Sequence, residues 1–356
     1  MINQMNSVLK ELALPGTCVR AKSHRHLAFF DVKLEKTGRS VPTVNQFLKR
    51  TQEIGLKLQS EKAPIIRPLS SEGVLRLRVA MKTADLPTLM EEACVTKLWG
   101  DEAIPSADEM ILPFVLGETD EGEKLWVDFA QHPHTLVAGA TSSGKSTLLH
   151  NLIQNALMLK AVGARDIDLY LVDPKRVEFN KYEGLAQIDT EYFDVIDTLR
   201  ELVEFMESRY AVMAKCGVQS VEQRPDAFSS KLVIIDEVSF LMGQDKGKGR
   251  GEFQRLLITL AQKARAAGIY LVVATQRPSV GIITGDIKAN FPARIACKTA
   301  TQADSRVVLD MNGAEELLGR GDAILCNMKI DQVRFQVAYA EPEETVRVYN
   351  WLKDNR

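Results

Sequence analysis

Residues Gly139 to Thr147 read GATSSGKST, with an apolar run ahead of them (HTLVAGA) and a helix-forming stretch behind (TLLHNLIQNALMLK). The spacing fits G-x-x-x-x-G-K-[ST], the loop that wraps nucleotide phosphates. Gly139 and Gly144 let the backbone of Ala140, Thr141, Ser142 and Ser143 turn its N–H groups inward. The helix opening at Lys145, Ser146 and Thr147 adds a dipole that favours an anion. In such a loop Lys145 reaches the β- and γ-phosphates of ATP, and Ser146 ligates Mg²⁺. A glycine turn with an exposed lysine is the bland alternative, and the strand–loop–helix context disfavours it.

Three further stretches bear on what is done with the nucleotide. In KLVIIDEVSF, four apolar residues run into Asp236 and Glu237. Asp236 at the end of such a strand suits Mg²⁺ held through water, a Walker B pattern. The added Glu237 suits orienting and deprotonating an attacking water, which points to hydrolysis. In YLVVATQRP, Gln276 stands at the end of the strand expected to neighbour Walker B, where it can contact the γ-phosphate or the water. In AQKARAAGIYL, Arg265 lies near a helix end. It is a candidate arginine finger for a neighbouring subunit, or a surface cation stabilised by the helix dipole.

The elements that must position these residues follow from the apolar pattern. Eight short strands are expected: LWVDF, TLVAGA, DLYLVD, KLVIID, YLVVATQ, RIACKT, DAILCNM and VRFQVAY. Leu232 to Ile235 is apolar on both faces, as in a central strand covered by helices. The fold class is therefore α/β, a P-loop NTPase motor of RecA-like order with a mainly parallel sheet. A small α+β module precedes it. There HLAFFDVKL and GVLRLRVAM read as strands, and TVNQFLKRTQEIGLKL reads as one helix with Val44, Phe47, Leu48, Thr51, Ile54 and Leu58 on a stripe. DEAIPSADEMILP is the expected linker, which puts the modules at 1–115 and 116–356. MGQDKGKGRGE, Met242 to Glu252, is expected to be a mobile loop.

Composition narrows the class. The 356 residues are 45% hydrophobic and 26% charged, ordinary for a globular protein. No apolar run approaches the ~20 residues of a membrane helix, and the start is no signal peptide, so a cytoplasmic protein is expected. Five scattered cysteines and the close pair His24 and His26 offer no complete metal set. A net charge of −2 argues against a general nucleic-acid coat while leaving room for an inner channel.

Together these residues resemble the FtsK/SpoIIIE family of double-stranded DNA translocases. The likeness is carried by HPHTLVAGATSSGKST, LVDPKRVEF, MESRYAVMAKCGV, VIIDEVSFLM, AQKARAAGIYLVVATQRPSVGIITGDIKANFPARIACKT and DSRVVLDMNGAEELLGRGDAIL, in the family's order after Gly117. The N-terminal module looks like the family's α domain, more loosely. The resemblance implies a homo-oligomer, a hexameric ring around duplex DNA, with any recruiting protein unidentified. By position it makes Arg265 the arginine finger and puts Arg277, Lys288 and Arg306 on DNA phosphates, which cations hold without reading bases. Structural alternatives exist: Arg277 could bond a neighbouring loop, and Arg306 could pair with Asp304. Gln302 replaces a basic residue of the family, weakening one contact. No membrane helices and no winged-helix γ domain accompany the motor, so neither septal anchoring nor sequence-directed sorting is expected. A compact homologue from a plasmid, phage or integrative element is expected, with an excised motor portion as the alternative. Two other functions share this core: a type VII-like protein-secretion ATPase, and a replication or conjugation DNA-binding ATPase platform.

Overall fold

The computed structural model describes residues 1–24, 27–35, 44–60, 63–69, 73–80, 95–100, 105–106, 109–245, 251–327 and 332–354. The chain divides into two compact units, Met1–Ala93 and Cys94–Arg356. This division precedes the boundary expected near residue 115. Val95, Leu98 and Trp99 are buried in the core of the second unit, and Trp99 Nε1 donates to Asn155 Oδ1 at 2.9 Å.

The first unit is a four-stranded antiparallel sheet in the order β1-β2-β4-β3. Its strands are β1 (Gly16–His24), β2 (Leu27–Leu34), β3 (Ile65–Leu69) and β4 (Val74–Ala80). Leu75, Leu77 and Val79 face the core as their alternation requires. Pro68 sits in edge strand β3, where a missing N–H is tolerated. The expected helix over 43–58 is broken into Val44–Leu48 and Thr51–Lys57. At the break the Thr51 hydroxyl donates to the Leu48 carbonyl (3.1 Å), competing with the helical ladder. Phe47, Ile54 and Leu58 are buried, whereas Leu48 is exposed.

The second unit is built on one ten-stranded sheet. Its strands are β5 (Pro113–Thr119), β6 (Lys124–Asp128), β7 (His134–Ala138), β8 (Ile167–Val172), β9 (Gln187–Asp189), β10 (Ser230–Ile235), β11 (Ile269–Thr275), β12 (Ala293–Cys297), β13 (Asp322–Cys326) and β14 (Val333–Val337). The order is β6-β5-β14-β13-β12-β7-β11-β10-β8-β9. From β12 to β9 every pairing is parallel; from β6 to β12 every pairing is antiparallel. All eight expected strands are present. β5 and β9 add to them, one starting where the expected linker ends and one only three residues long.

The helix Lys145–Ala161 packs on β5, β8 and the helix Pro342–Asp354. It is covered nearly all round, which is why its apolar residues show so little one-sidedness. Two buried asparagines fasten it to β5. Asn155 Oδ1 accepts Val115 N–H at 2.9 Å, and Asn151 Nδ2 donates to Val115 O at 3.1 Å. Among the described residues no helix is long and apolar enough to cross a membrane. None of their His, Cys, Asp and Glu side chains form a metal-binding group of three. Residues 246–250, five of the eleven in the expected mobile loop, lie outside the described residues, as does His26 of the close histidine pair.

Candidate nucleotide site

Parallel register brings the three chemical motifs to one edge. β11 lies between β7 and β10, with Thr275 opposite Ala138 and Val273 opposite Ile235. The residues that follow all three strands, Gly139, Asp236 and Gln276, therefore leave the same carboxyl edge of the sheet, where ligands bind in open α/β folds.

The loop Gly139–Thr147 is held from behind. Gly139 N–H donates to Thr275 O (3.2 Å), and Ala140 N–H donates to Lys298 O (2.8 Å). Ser142 and Gly144 both take positive φ, 61° and 102°. Gly144 is the N-cap of the helix at Lys145 and offers no side chain to its first turn. The first-turn N–H groups consequently lack an intrahelical partner and point at the loop's interior. The buried Ser143 hydroxyl is likewise without a partner among the described residues. Unspent donors, a buried lysine and a helix dipole together suit a polyphosphate.

Lys145 is 3% exposed. Its ammonium donates to the Asp236 carboxylate and to Asp236 O at 2.9 Å. Glu237, equally buried, is fully engaged. Its Oε1 accepts from Ser239 Oγ (2.5 Å) and Thr275 Oγ1 (2.8 Å). Its Oε2 accepts from Gln276 N–H (3.1 Å) and lies 3.5 Å from Lys175 Nζ. Burial pushes its pKa up, but those hydrogen bonds and the Lys145 charge outweigh burial and hold it below the usual carboxylate value. The Gln276 side chain meets the phosphate loop through Thr141 Oγ1 at 3.4 Å.

Three contributors were not singled out from the sequence. Lys175 and Glu178 come from the LVDPKRVEF loop. Glu178 Oε1 lies 3.6 Å from His150 Nε2. His150 first, with burial opposing and Ser146 and Lys145 assisting, holds the Glu178 carboxyl at about 2. The third is the turn Gly319–Arg320–Gly321. Gly321 N–H donates to Ser143 O (2.8 Å) and Arg320 N–H to Ser142 O (3.4 Å). That turn is anchored by a buried pair in which Arg334 Nε and Nη2 donate to Asp322 at 3.0 and 2.6 Å. Its two glycines in LLGRGD were the available signal, along with the charged residues in LVDPKRVEF.

The remaining candidates lie elsewhere. Arg265 follows the helix Glu252–Lys263 and precedes β11, whereas Gln276 follows β11. At about 3.3 Å per strand residue, more than ~20 Å separates Arg265 from its own phosphate loop. It is half exposed and pairs with Glu222 at 3.2 Å. Arg277 is exposed, and among the described residues its guanidinium has no hydrogen-bond or ion-pair partner. Lys288 is paired with Asp310, which Arg294 shares. Arg306 is exposed and its Nε donates to Asn312 Oδ1 (2.8 Å), not to Asp304. Asp304 is already committed to a capping box with Thr301.

Known proteins resemble the chain in sequence and in fold. The model of the FtsK/SpoIIIE family matches residues 102–232 and 228–280, half of the chain. The DNA translocase FtsK of Caldanaerobacter subterraneus subsp. tengcongensis is 35% identical over 322 residues, 88% of this chain and 44% of that protein. The protein of the same name from Chlorobaculum tepidum is 40% identical over 264 residues, 69% of this chain and 32% of that one. The chain thus spans less than half the length of these curated relatives. Among solved structures, the pCW3 conjugation coupling protein TcpA, in a monomer form with ATPγS, shares the fold. It has a TM-score of 0.65 at 22% identity, covering 98% of this chain and 99% of that chain. The cytoplasmic domain of the type VII secretion ATPase EccC of Thermomonospora curvata gives 0.58 at 25% identity, covering 67% and 31%. By its match to the family model and its identity to these relatives, the chain belongs to the FtsK/SpoIIIE family.

Proposed function

We propose that this chain is an ATP-hydrolysing ring motor that moves double-stranded DNA, serving the transfer or segregation of a mobile element or chromosome. The observation that carries the reading is the buried Lys145–Asp236–Glu237 cluster beside Gln276, at the carboxyl ends of three adjacent parallel strands. The first-turn N–H groups and Lys145 bind the β- and γ-phosphates, and Lys145 exchanges Asp236 for them. Ser146 and the freed Asp236 are the residues that would hold Mg²⁺, which neutralises charge on the phosphate oxygens. Glu178 accepts a hydrogen bond from the Ser146 hydroxyl, which turns that oxygen's lone pair toward a cation. Gln276 orients the attacking water. Glu237 takes its proton as oxygen bonds to the γ-phosphorus and the bond to ADP breaks.

Arg265, remote from its own site, serves the neighbour's. The relatives named DNA translocases supply the cargo in this reading, and Arg277, Lys288 and Arg306 grip its phosphates. Lys288 must exchange Asp310 for phosphate, so Arg277 is the stronger contact. The test is ATP turnover with and without linear duplex DNA. Stimulation that grows with duplex length, together with ATP-dependent displacement of a triplex-forming strand, is expected. No response to duplex would sink the reading and favour a protein-secretion ATPase.

A further inference from the structure

Thr275 closes β11 and is fully buried, yet its polar groups reach three parts of the site. Its carbonyl accepts Gly139 N–H from the phosphate loop (3.2 Å). Its hydroxyl donates to Glu237 Oε1 (2.8 Å) and accepts Arg277 N–H (3.1 Å). The rest of β11 is apolar, from Ile269 to Ala274 apart from the Tyr270 hydroxyl, and a valine would satisfy the strand equally well. The hydroxyl is therefore the informative group.

A general base needs a lone pair free to take a proton from water. Here every donor around Glu237 opposes that, two hydroxyls on Oε1 and an amide with a lysine near Oε2. These donors hold the carboxylate in place and occupy the positions around both oxygens that an attacking water would need. Ser239 lies two residues from Glu237 itself. Thr275 is the side-chain donor that also receives a bond from the segment leaving the strand at Arg277. By occupying the hydroxyl's lone pair, Arg277 N–H leaves the O–H aimed at Glu237. Withdrawing that N–H lets the hydroxyl rotate away.

We propose that Thr275 is a positioning residue that restrains Glu237 and releases it when bound duplex draws on the segment beginning at Arg277. This rests on the reading of the chain as a DNA-driven ATPase. It makes Thr275 the mechanical link between grip and hydrolysis within one subunit.

Thr275→Val keeps the shape and removes both hydroxyl bonds. DNA-free ATP turnover should rise about fivefold, the worth of one net hydrogen bond. The ratio of duplex-stimulated to DNA-free turnover should fall toward one, with KM for ATP unchanged. Thr275→Ser should restore the ratio. Affinity for a fluorescent ATP analogue verifies the fold, and Thr275→Ala is read the same way if the valine variant does not bind it. Equal loss of both rates, or an unchanged ratio, overturns the proposal. Ser239→Ala removes a Glu237 donor that is not tied to Arg277, so it should raise DNA-free turnover and keep stimulation. If it collapses the ratio as far as Thr275→Val does, the link does not run through Thr275. If the unsubstituted protein shows no duplex stimulation, the translocase reading fails and the tie to Arg277 falls with it. The DNA-free comparison then still decides whether Thr275 restrains Glu237.

Discussion

His134 opens β7, the strand that leads into the phosphate loop, and neither ring nitrogen has a hydrogen-bond partner among the described residues. Burial pushes its pKa down to about 3, and the Arg265 charge adds to the effect. Unfolded, the ring titrates near 6.5. Between those values the unfolded chain holds a proton that the folded chain refuses, so stability falls as pH drops through that window. From pH 7 to pH 5 the loss from this one residue is about 2 kcal/mol. His134→Leu should remove that slope, leaving a variant that loses less stability than the parent over the same interval. Urea unfolding of both proteins at the two pH values checks it, and equal losses would count against burial as the cause. Individual residues were legible where chemistry is local in sequence. Lys145, Ser146, Asp236 and Glu237 each sit in a short motif. Glu178 and Thr275 act on partners distant in sequence, and only the fold brings those partners within reach.

At the level of elements, the phosphate loop is shaped by a neighbour as much as by its own glycines. A Cβ on Gly144 would lie 2.1 Å from Gly321 N and 2.5 Å from Gly321 Cα, both backbone atoms. Its φ of 102° also lies where side chains are strained. Gly144→Ala must therefore push the loop off the Gly319–Gly321 turn. An affinity loss for ATP analogues of at least about a hundredfold is expected, with backbone strain of about 1–3 kcal/mol lowering the melting temperature. Near-normal binding would show that the turn yields. The strands themselves were readable because parallel central strands are apolar on both faces. Their lateral order was readable in part: the Gln276 strand β11 lies beside the Walker B strand β10 as expected, whereas chain order alone does not put it between β10 and β7. β5 was hidden because PFVLGET follows an acidic, proline-containing stretch that reads as a linker. Its Phe114, Val115 and Leu116 are buried in the core under the helix Lys145–Ala161, whose Asn151 and Asn155 bond its backbone. The helix break at Lys49–Arg50 was invisible to periodicity, which registers a stripe but not a hydroxyl competing for a carbonyl.

At the scale of the whole molecule, the separation of Arg265 from its own site becomes a statement about assembly. If Arg265 is a finger, its place at one end of β11 and the phosphate loop at the other keep the two from serving the same nucleotide, and each site would need a second copy. Pairing with Glu222 and a place just past a helix end are equally compatible with a cation that never leaves its own subunit. Mixing two inactive variants separates these cases. Arg265→Ala keeps a complete phosphate site but no finger. Lys145→Ala keeps the finger but no working site. Each alone should show turnover at background level, with Arg265→Ala still binding nucleotide. Mixed in equal amounts and allowed to exchange subunits, about a quarter of interfaces would join an intact site to an intact finger, and turnover should return to that order if sites fire independently. Turnover well below it, with mixed rings verified, would mean that neighbouring sites must fire in sequence. Normal turnover by Arg265→Ala alone would remove the finger assignment and return Arg265 to its ion pair with Glu222.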